Sequence, residues 1–165
     1  MSTTPTRCLI LACGNTLRGD DGAGPWLAAW AEDRFRQEAS VHVLIRQQWT
    51  PELAEEIAST ESVLFIDASA ASAAGSVLLA PVEPAADSPA VSTHHCGAAE
   101  LLALAHGLYA AQPRTALLLT VGAACFDLRE GFSSLLQAAL PRACGLLEET
   151  VLRLLTAESP PSPKP

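Results

Sequence analysis

Five side chains in this sequence have types that suit a metal site. Asp20 and Asp21 follow the first apolar run, Asp67 ends another, and His94 and His95 precede a helical segment. Two carboxylates and one imidazole nitrogen form a donor set that suits a transition metal such as nickel, zinc, cobalt or iron. The sequence therefore predicts a metal-handling site if these segments converge in the fold.

Each of these residues also has a purely structural interpretation. An aspartate before a helix most often caps the helix or shapes a turn, and for Asp20 this role corresponds to ~1 kcal/mol. Asp67 could cap a turn in the same way. His94 and His95 are neighbours, so we expect only one of them to point into a shared site.

Short apolar runs alternate with helical segments along the chain. Nearly continuous hydrophobic runs of this length suit central strands that are covered on both faces. Threonine at an N-cap and proline at a first helical position mark helix starts. The predicted strands are 7–13, 41–46, 62–67, 75–82 and 114–122, and the predicted helices are 25–37, 50–59, 97–109 and 132–156.

The alternation of strands and helices predicts an α/β fold. We expect one domain over 1–157, built as a three-layer sandwich with a twisted, mostly parallel five-stranded sheet and helices on both faces. The strand at 75–82 is expected at an edge, and the proline-rich tail 158–165 is expected to be disordered. Ligands gather at the carboxyl ends of strands in such sheets, which is where the candidate residues fall.

The composition disfavours several classes of partner. Ten basic and 18 acidic residues give a net charge of −8, so no basic surface is expected for nucleic acid or an anionic membrane. The five cysteines form no CxxC pair, which argues against a zinc framework or a disulfide scaffold. The chain begins without an apolar signal-like stretch, and its apolar runs are too short to span a bilayer. We expect a cytoplasmic protein.

The glycine-rich segment GNTLRGDDGAGP at 14–25 invites a nucleotide-binding interpretation. The stretch CGNTLRG does not match GxGxxG, and the second strand ends at Arg46 where a ribose-binding site expects an acidic residue. An arginine there could instead bind the phosphate of NADP, so an NADP-binding reductase stays an alternative. No Walker sequence, nucleophile elbow or HExxH motif occurs.

Two further groups of residues lie near the predicted carboxyl edge. Cys13 and Cys96 are interpreted as small buried thiols, with Cys96 a weaker candidate as a soft metal ligand. The glycines of the loop are expected to let a substrate backbone approach closely; these are Gly14, Gly19, Gly22 and Gly24.

The segment LACGNTLRGDDGAGP at 11–25 resembles the opening signature of the endopeptidases that mature nickel–iron hydrogenases. Asp67 in LFIDAS and His94 in HHCG match two further positions of that family. QQWTPELAE at 47–55, followed by LLALAHGLY at 101–109, resembles the branch that serves cytoplasmic NAD-coupled bidirectional hydrogenases. The resemblance extends over most of the chain.

The resemblance implies a reaction and a site. The reaction is cleavage of one peptide bond, which removes the C-terminal extension of the hydrogenase large-subunit precursor after nickel insertion. Asp21, Asp67 and His94 are the implied catalytic residues and nickel ligands. The nickel arrives with the precursor, so no tightly held metal is expected in the isolated protein, which is expected to be a monomer. A non-catalytic, metal-dependent hydrogenase chaperone would use the same ligands and stays an alternative.

Overall fold

Five strands and four α-helices alternate along the part of the chain that the structure, a computed structural model, describes, namely residues 6–86 and 96–157. This order agrees with the sequence prediction. The strands are β1 (Cys8–Cys13), β2 (Val41–Arg46), β3 (Ser62–Ser69), β4 (Val77–Pro81) and β5 (Thr115–Gly122), and the helices are α1 (Ala23–Arg34), α2 (Ala54–Ala58), α3 (Ala98–Tyr109) and α4 (Ser134–Thr156).

The strands form one sheet in the order β2-β1-β3-β5-β4. The pairs β1–β2, β1–β3 and β3–β5 are parallel, and β4 is antiparallel to β5 at one edge. Every residue of β1 is buried, as are the first five of β3, which accounts for their unbroken apolar sequences. The predicted mostly parallel sheet is confirmed.

Helices cover both faces of this sheet. On one face, Ile10 and Leu64 pack in a core with residues of α1 and α4. On the other face, Leu11 and Phe65 pack in a second core with residues of α2 and α3. Because side chains alternate along a strand, Asp67 lies on the same face as Phe65, the face of α2 and α3. The three-layer arrangement is therefore confirmed.

Two local features differ from the sequence prediction. The loop before α1 contains a 3-10 turn, Gly19–Gly22, and the helix predicted at 50–59 is a 3-10 turn, Pro51–Leu53, followed by the short α2. Thr50 occupies the predicted N-cap position, but its side chain accepts no capping hydrogen bond. A hydrogen bond with Thr50 instead lowers the pKa of Glu52.

Two other sequence predictions concern the C-terminal tail and the absence of a segment that spans a membrane. The predicted disordered tail, 158–165, lies outside the described residues. Within the described ranges, no helix has both the length and the apolar character needed to cross a bilayer.

Glycines of the loop between β1 and α1 pack against the protein's own backbone. Gly14 has φ +142°, and a Cβ there would overlap the carbonyl oxygen of Asp21. A Cβ at Gly24 would overlap the carbonyl oxygen of Cys13. Gly19 and Gly22 also face the chain's own atoms. These glycines therefore allow the loop to fold closely against itself, and the approach of a substrate backbone stays a prediction.

Asp20 is fully buried and joins the loop after β1 to the loop after β5. Its carboxylate accepts hydrogen bonds from the backbone N–H groups of Ala124 (2.7 Å), Cys125 (3.2 Å) and Ser133 (2.7 Å) and from the Ser133 hydroxyl (2.8 Å). Burial alone would raise the pKa of Asp20, but these hydrogen bonds lower it below its usual value. The interpretation of Asp20 as a local helix cap is wrong, because all four bonds are made to residues more than 100 positions away.

We expect Asp20→Asn to lower the free energy of unfolding by about 3 kcal/mol, since an amide NH2 group would meet backbone donors in a buried site. The melting temperature should fall by about 6–12 °C. Because the pKa of Asp20 is lowered in the folded state, its stabilisation is present above about pH 4 and is lost as the pH falls. Chemical denaturation at several pH values measures both effects.

Asp33→Asn is the matched control, because Asp33 is exposed on α1 and pairs with Arg36 at the surface. Its effect on the free energy of unfolding should stay within about 0.5 kcal/mol. Equal stabilities for the two variants would contradict the structural role of Asp20.

Candidate functional site

Asp21 lies on the 3-10 turn that the buried Asp20 carboxylate holds in place. The backbone N–H of Asn15 donates to Oδ2 of Asp21 at 2.9 Å. No described residue donates a hydrogen bond to the other oxygen, Oδ1. The side chain is half-buried. Asp21 thus has one oxygen fixed by the loop and one oxygen to which none of the described residues is bonded.

Asp67 lies near the carboxyl end of β3 and has a similar arrangement. Its Oδ1 accepts hydrogen bonds from the Cys13 thiol (3.3 Å) and from the backbone N–H of Ala68 (2.8 Å). Among the described residues no group donates to Oδ2. Burial raises the pKa of Asp67, the hydrogen bonds from Cys13 and Ala68 act in the opposite direction, and the negative charge of Asp21 raises it further.

The structure thus brings Asp21 and Asp67 together at the carboxyl edge of the parallel strands. Their carboxylates are close enough for the charge of one to change the pKa of the other. Two partly dehydrated carboxylates, each with one oxygen that no described residue bonds, can bind a cation or accept a proton from water. Within the described ranges, however, no three His, Cys, Asp or Glu side chains are grouped closely enough to hold a metal ion.

The third predicted ligand, His94, lies outside the described residues, as does His95. The chain after them is described: Cys96 packs against the core that contains Cys13, and Gly97 precedes α3. The roles of the two histidines remain sequence predictions.

Cys13 is a contributor to the site that the sequence interpretation missed. It is the last residue of β1, only 9% exposed, and its thiol contacts Asp67 directly. Burial raises the pKa of Cys13, and the charges of Asp67 and Asp21 and the hydrogen bond to Asp67 raise it further, so the group stays a thiol. The one sequence signal was its place at the end of the first predicted strand, near the carboxyl edge where Asp67 was also expected.

The nucleotide-binding alternative finds little support in this geometry. The cavity lined by Gly14, Asn15 and Arg46 measures about 210 Å³, below the roughly 300–1,000 Å³ typical of ligand pockets. The 3-10 turn separates β1 from α1, so the helix does not begin directly after the strand and turn as in a dinucleotide site.

Comparison with known proteins finds similar solved structures. No protein-family model matches the chain, and no curated protein does. The hydrogenase maturating endopeptidase HybD from E. coli superposes with a TM-score of 0.71 at 20% identity, over 89% of this chain and 93% of that one. The [NiFe] hydrogenase maturation protease HybD from Thermococcus kodakarensis gives 0.63 at 26% identity, over 87% and 98%. HycI from the same organism, also a [NiFe] hydrogenase maturation protease, gives 0.64 at 24% identity, over 89% and 93%. The chain therefore has the α/β fold of the hydrogenase maturation proteases.

Proposed function

We propose that this protein is an endopeptidase of hydrogenase maturation, which removes the C-terminal extension of a nickel–iron hydrogenase large-subunit precursor once nickel has been inserted. The observation that carries the proposal is the pair Asp21 and Asp67 at the carboxyl edge of a sheet with the fold of such proteases. In each carboxylate one oxygen is held by a hydrogen bond, and the other accepts none from the described residues.

The chemistry of the donors supports nickel as the recognition element. The two aspartates offer hard oxygen ligands, and the sequence resemblance adds the nitrogen of His94. Three such ligands leave part of a coordination shell open, and thiolates of the precursor would complete it. Nickel bound in the precursor supplies positive charge that can polarise a nearby peptide carbonyl. Asp21 and Asp67 would bind this centre and so make cleavage depend on its presence.

The resemblance of QQWTPELAE at 47–55 to one branch of the family extends the proposal to the substrate. It favours the large subunit of a cytoplasmic NAD-coupled bidirectional hydrogenase, and hence action in the cytoplasm. The proposal also takes the protein to be a monomer. Incubation with precursors of different hydrogenases from the same organism tests this choice by their relative rates of cleavage.

Cleavage should require the nickel-loaded precursor. We expect mass spectrometry to show loss of the C-terminal extension when purified protein meets the nickel-loaded large subunit, and no loss with the nickel-free form even at excess enzyme. The isolated protein should carry little nickel, because two free carboxylate oxygens with one imidazole bind the ion weakly. Binding of the loaded precursor without cleavage would favour the chaperone alternative. One nickel per chain that survives chelator dialysis, with cleavage of nickel-free precursor, would indicate an ordinary metallopeptidase.

We expect Asp21→Asn to fold normally and to cleave at least about tenfold more slowly, which corresponds to ~1.4 kcal/mol or more in the activation barrier. The amide keeps the acceptor for the Asn15 N–H but replaces a charged ligand oxygen with a poorer one. Circular dichroism checks the fold, and single-turnover cleavage of loaded precursor gives the rate. Cleavage at the wild-type rate would remove Asp21 from the site.

Asp67→Asn should cleave more slowly and yet be more stable than the wild type at neutral pH. The raised pKa of Asp67 means that the folded state binds a proton more tightly than the unfolded state, so the wild type loses stability as the pH rises from about 4 through that pKa. An uncharged amide removes this loss and still accepts from Cys13 and Ala68. Denaturation from pH 4 to 8 measures the effect, and a fall in stability at pH 7 would contradict it.

A further inference from the structure

The thiol of Cys13 makes a specific connection to Asp67 across the sheet. Its Sγ lies 3.3 Å from Oδ1 of Asp67, and the two residues are 54 positions apart in sequence. β1 and β3 pair in parallel with Ala12 opposite Ile66. Cys13 and Asp67 are the next residues of the two strands and therefore lie side by side. The contact therefore depends on strand register and not on the conformation of a loop.

The second donor to Asp67 is local. The N–H of Ala68 belongs to the next residue and bonds to the same Oδ1 at 2.8 Å. Among the described residues, Cys13 is the one donor that ties the Asp67 carboxylate to another strand. With both donors on Oδ1, the oxygen left for a ligand is Oδ2.

We propose that Cys13 is a positioning residue, whose thiol fixes the rotation of the Asp67 carboxylate so that Oδ2 faces the metal-bearing end of the precursor. This inference rests on the proposed function. It gives Cys13 a task that a small apolar side chain of equal volume cannot perform, because such a side chain has no hydrogen to donate.

A purely structural role predicts a different order of variants. If Cys13 only fills space, Cys13→Val keeps the core packed and should be tolerated best, whereas Cys13→Ser places a hydroxyl in a nearly buried position and should be tolerated worst. If Cys13 positions Asp67, serine keeps a donor and should be tolerated best. The two roles thus reverse the ranking of serine and valine.

Single-turnover cleavage of the nickel-loaded large-subunit precursor tests this ranking. We expect Cys13→Ser to stay within about twofold of the wild type. Cys13→Ala and Cys13→Val should lose about three- to tenfold in the maximal single-turnover rate with the half-saturating concentration unchanged, since the lost hydrogen bond orients Asp67. Cys144→Ala, a half-buried cysteine on α4, controls for the loss of a thiol and should keep full activity. Full activity of the valine variant, or failure of the serine variant while valine is active, would overturn the proposal.

A spectroscopic measurement separates this proposal from the function itself. The infrared S–H stretch of Cys13 can be isolated as the difference between wild type and Cys13→Val. We expect its frequency to be lower than that of the other thiols and to rise in Asp67→Asn, because an amide oxygen is a weaker acceptor than a carboxylate. A band unchanged in Asp67→Asn would overturn the hydrogen bond, even if the protein cleaves the precursor. A shift as expected without any cleavage would instead reject the proposed function.

Discussion

The buried carboxylate of Asp20 is the interaction on which the candidate site depends. Its hydrogen bonds hold the loop after β1 against the loop after β5 and the start of α4. Backbone hydrogen bonds between residues 17–20 and 125–129 support the same contact. A charge in such a place is stable only because donors converge on it from three residues. Asp21 owes its place to this attachment, since the two residues share one short turn.

Asp20 and Asp67 show how the environment of an aspartate decides whether its charge stabilises the fold or destabilises it. Both oxygens of Asp20 accept hydrogen bonds from the protein's own donors, and its negative charge stabilises the folded state. Asp67, the partner of Asp21, is partly dehydrated beside another negative charge, a state that costs stability and is typical of functional sites. A bound cation would relieve the repulsion between Asp21 and Asp67. Among the residues that the structure describes, the fold thus places two acidic groups, Asp21 and Asp67, near each other.

The sequence predicted the layers and most element bounds, because unbroken apolar runs such as Cys8–Cys13 have few other stable locations. It also grouped Asp21 and Asp67 through the general rule for strand ends. It did not predict the role of Asp20, whose partners lie at 124–133, or that of Cys13, whose partner is Asp67. Both roles depend on contacts between residues that are distant in sequence, and a local sequence pattern does not predict such contacts.

The close packing of the glycine loop has a consequence for sequence divergence. Because Gly24 lies against the carbonyl of Cys13, and Gly14 against that of Asp21, the end of β1 and the start of α1 fit together without spare room. An inserted or deleted residue between 14 and 24 would disrupt both contacts. The length of this loop should therefore be retained while the sequence of the rest of the chain diverges. It offers a fixed reference for aligning proteins whose overall identity has fallen to about one residue in five.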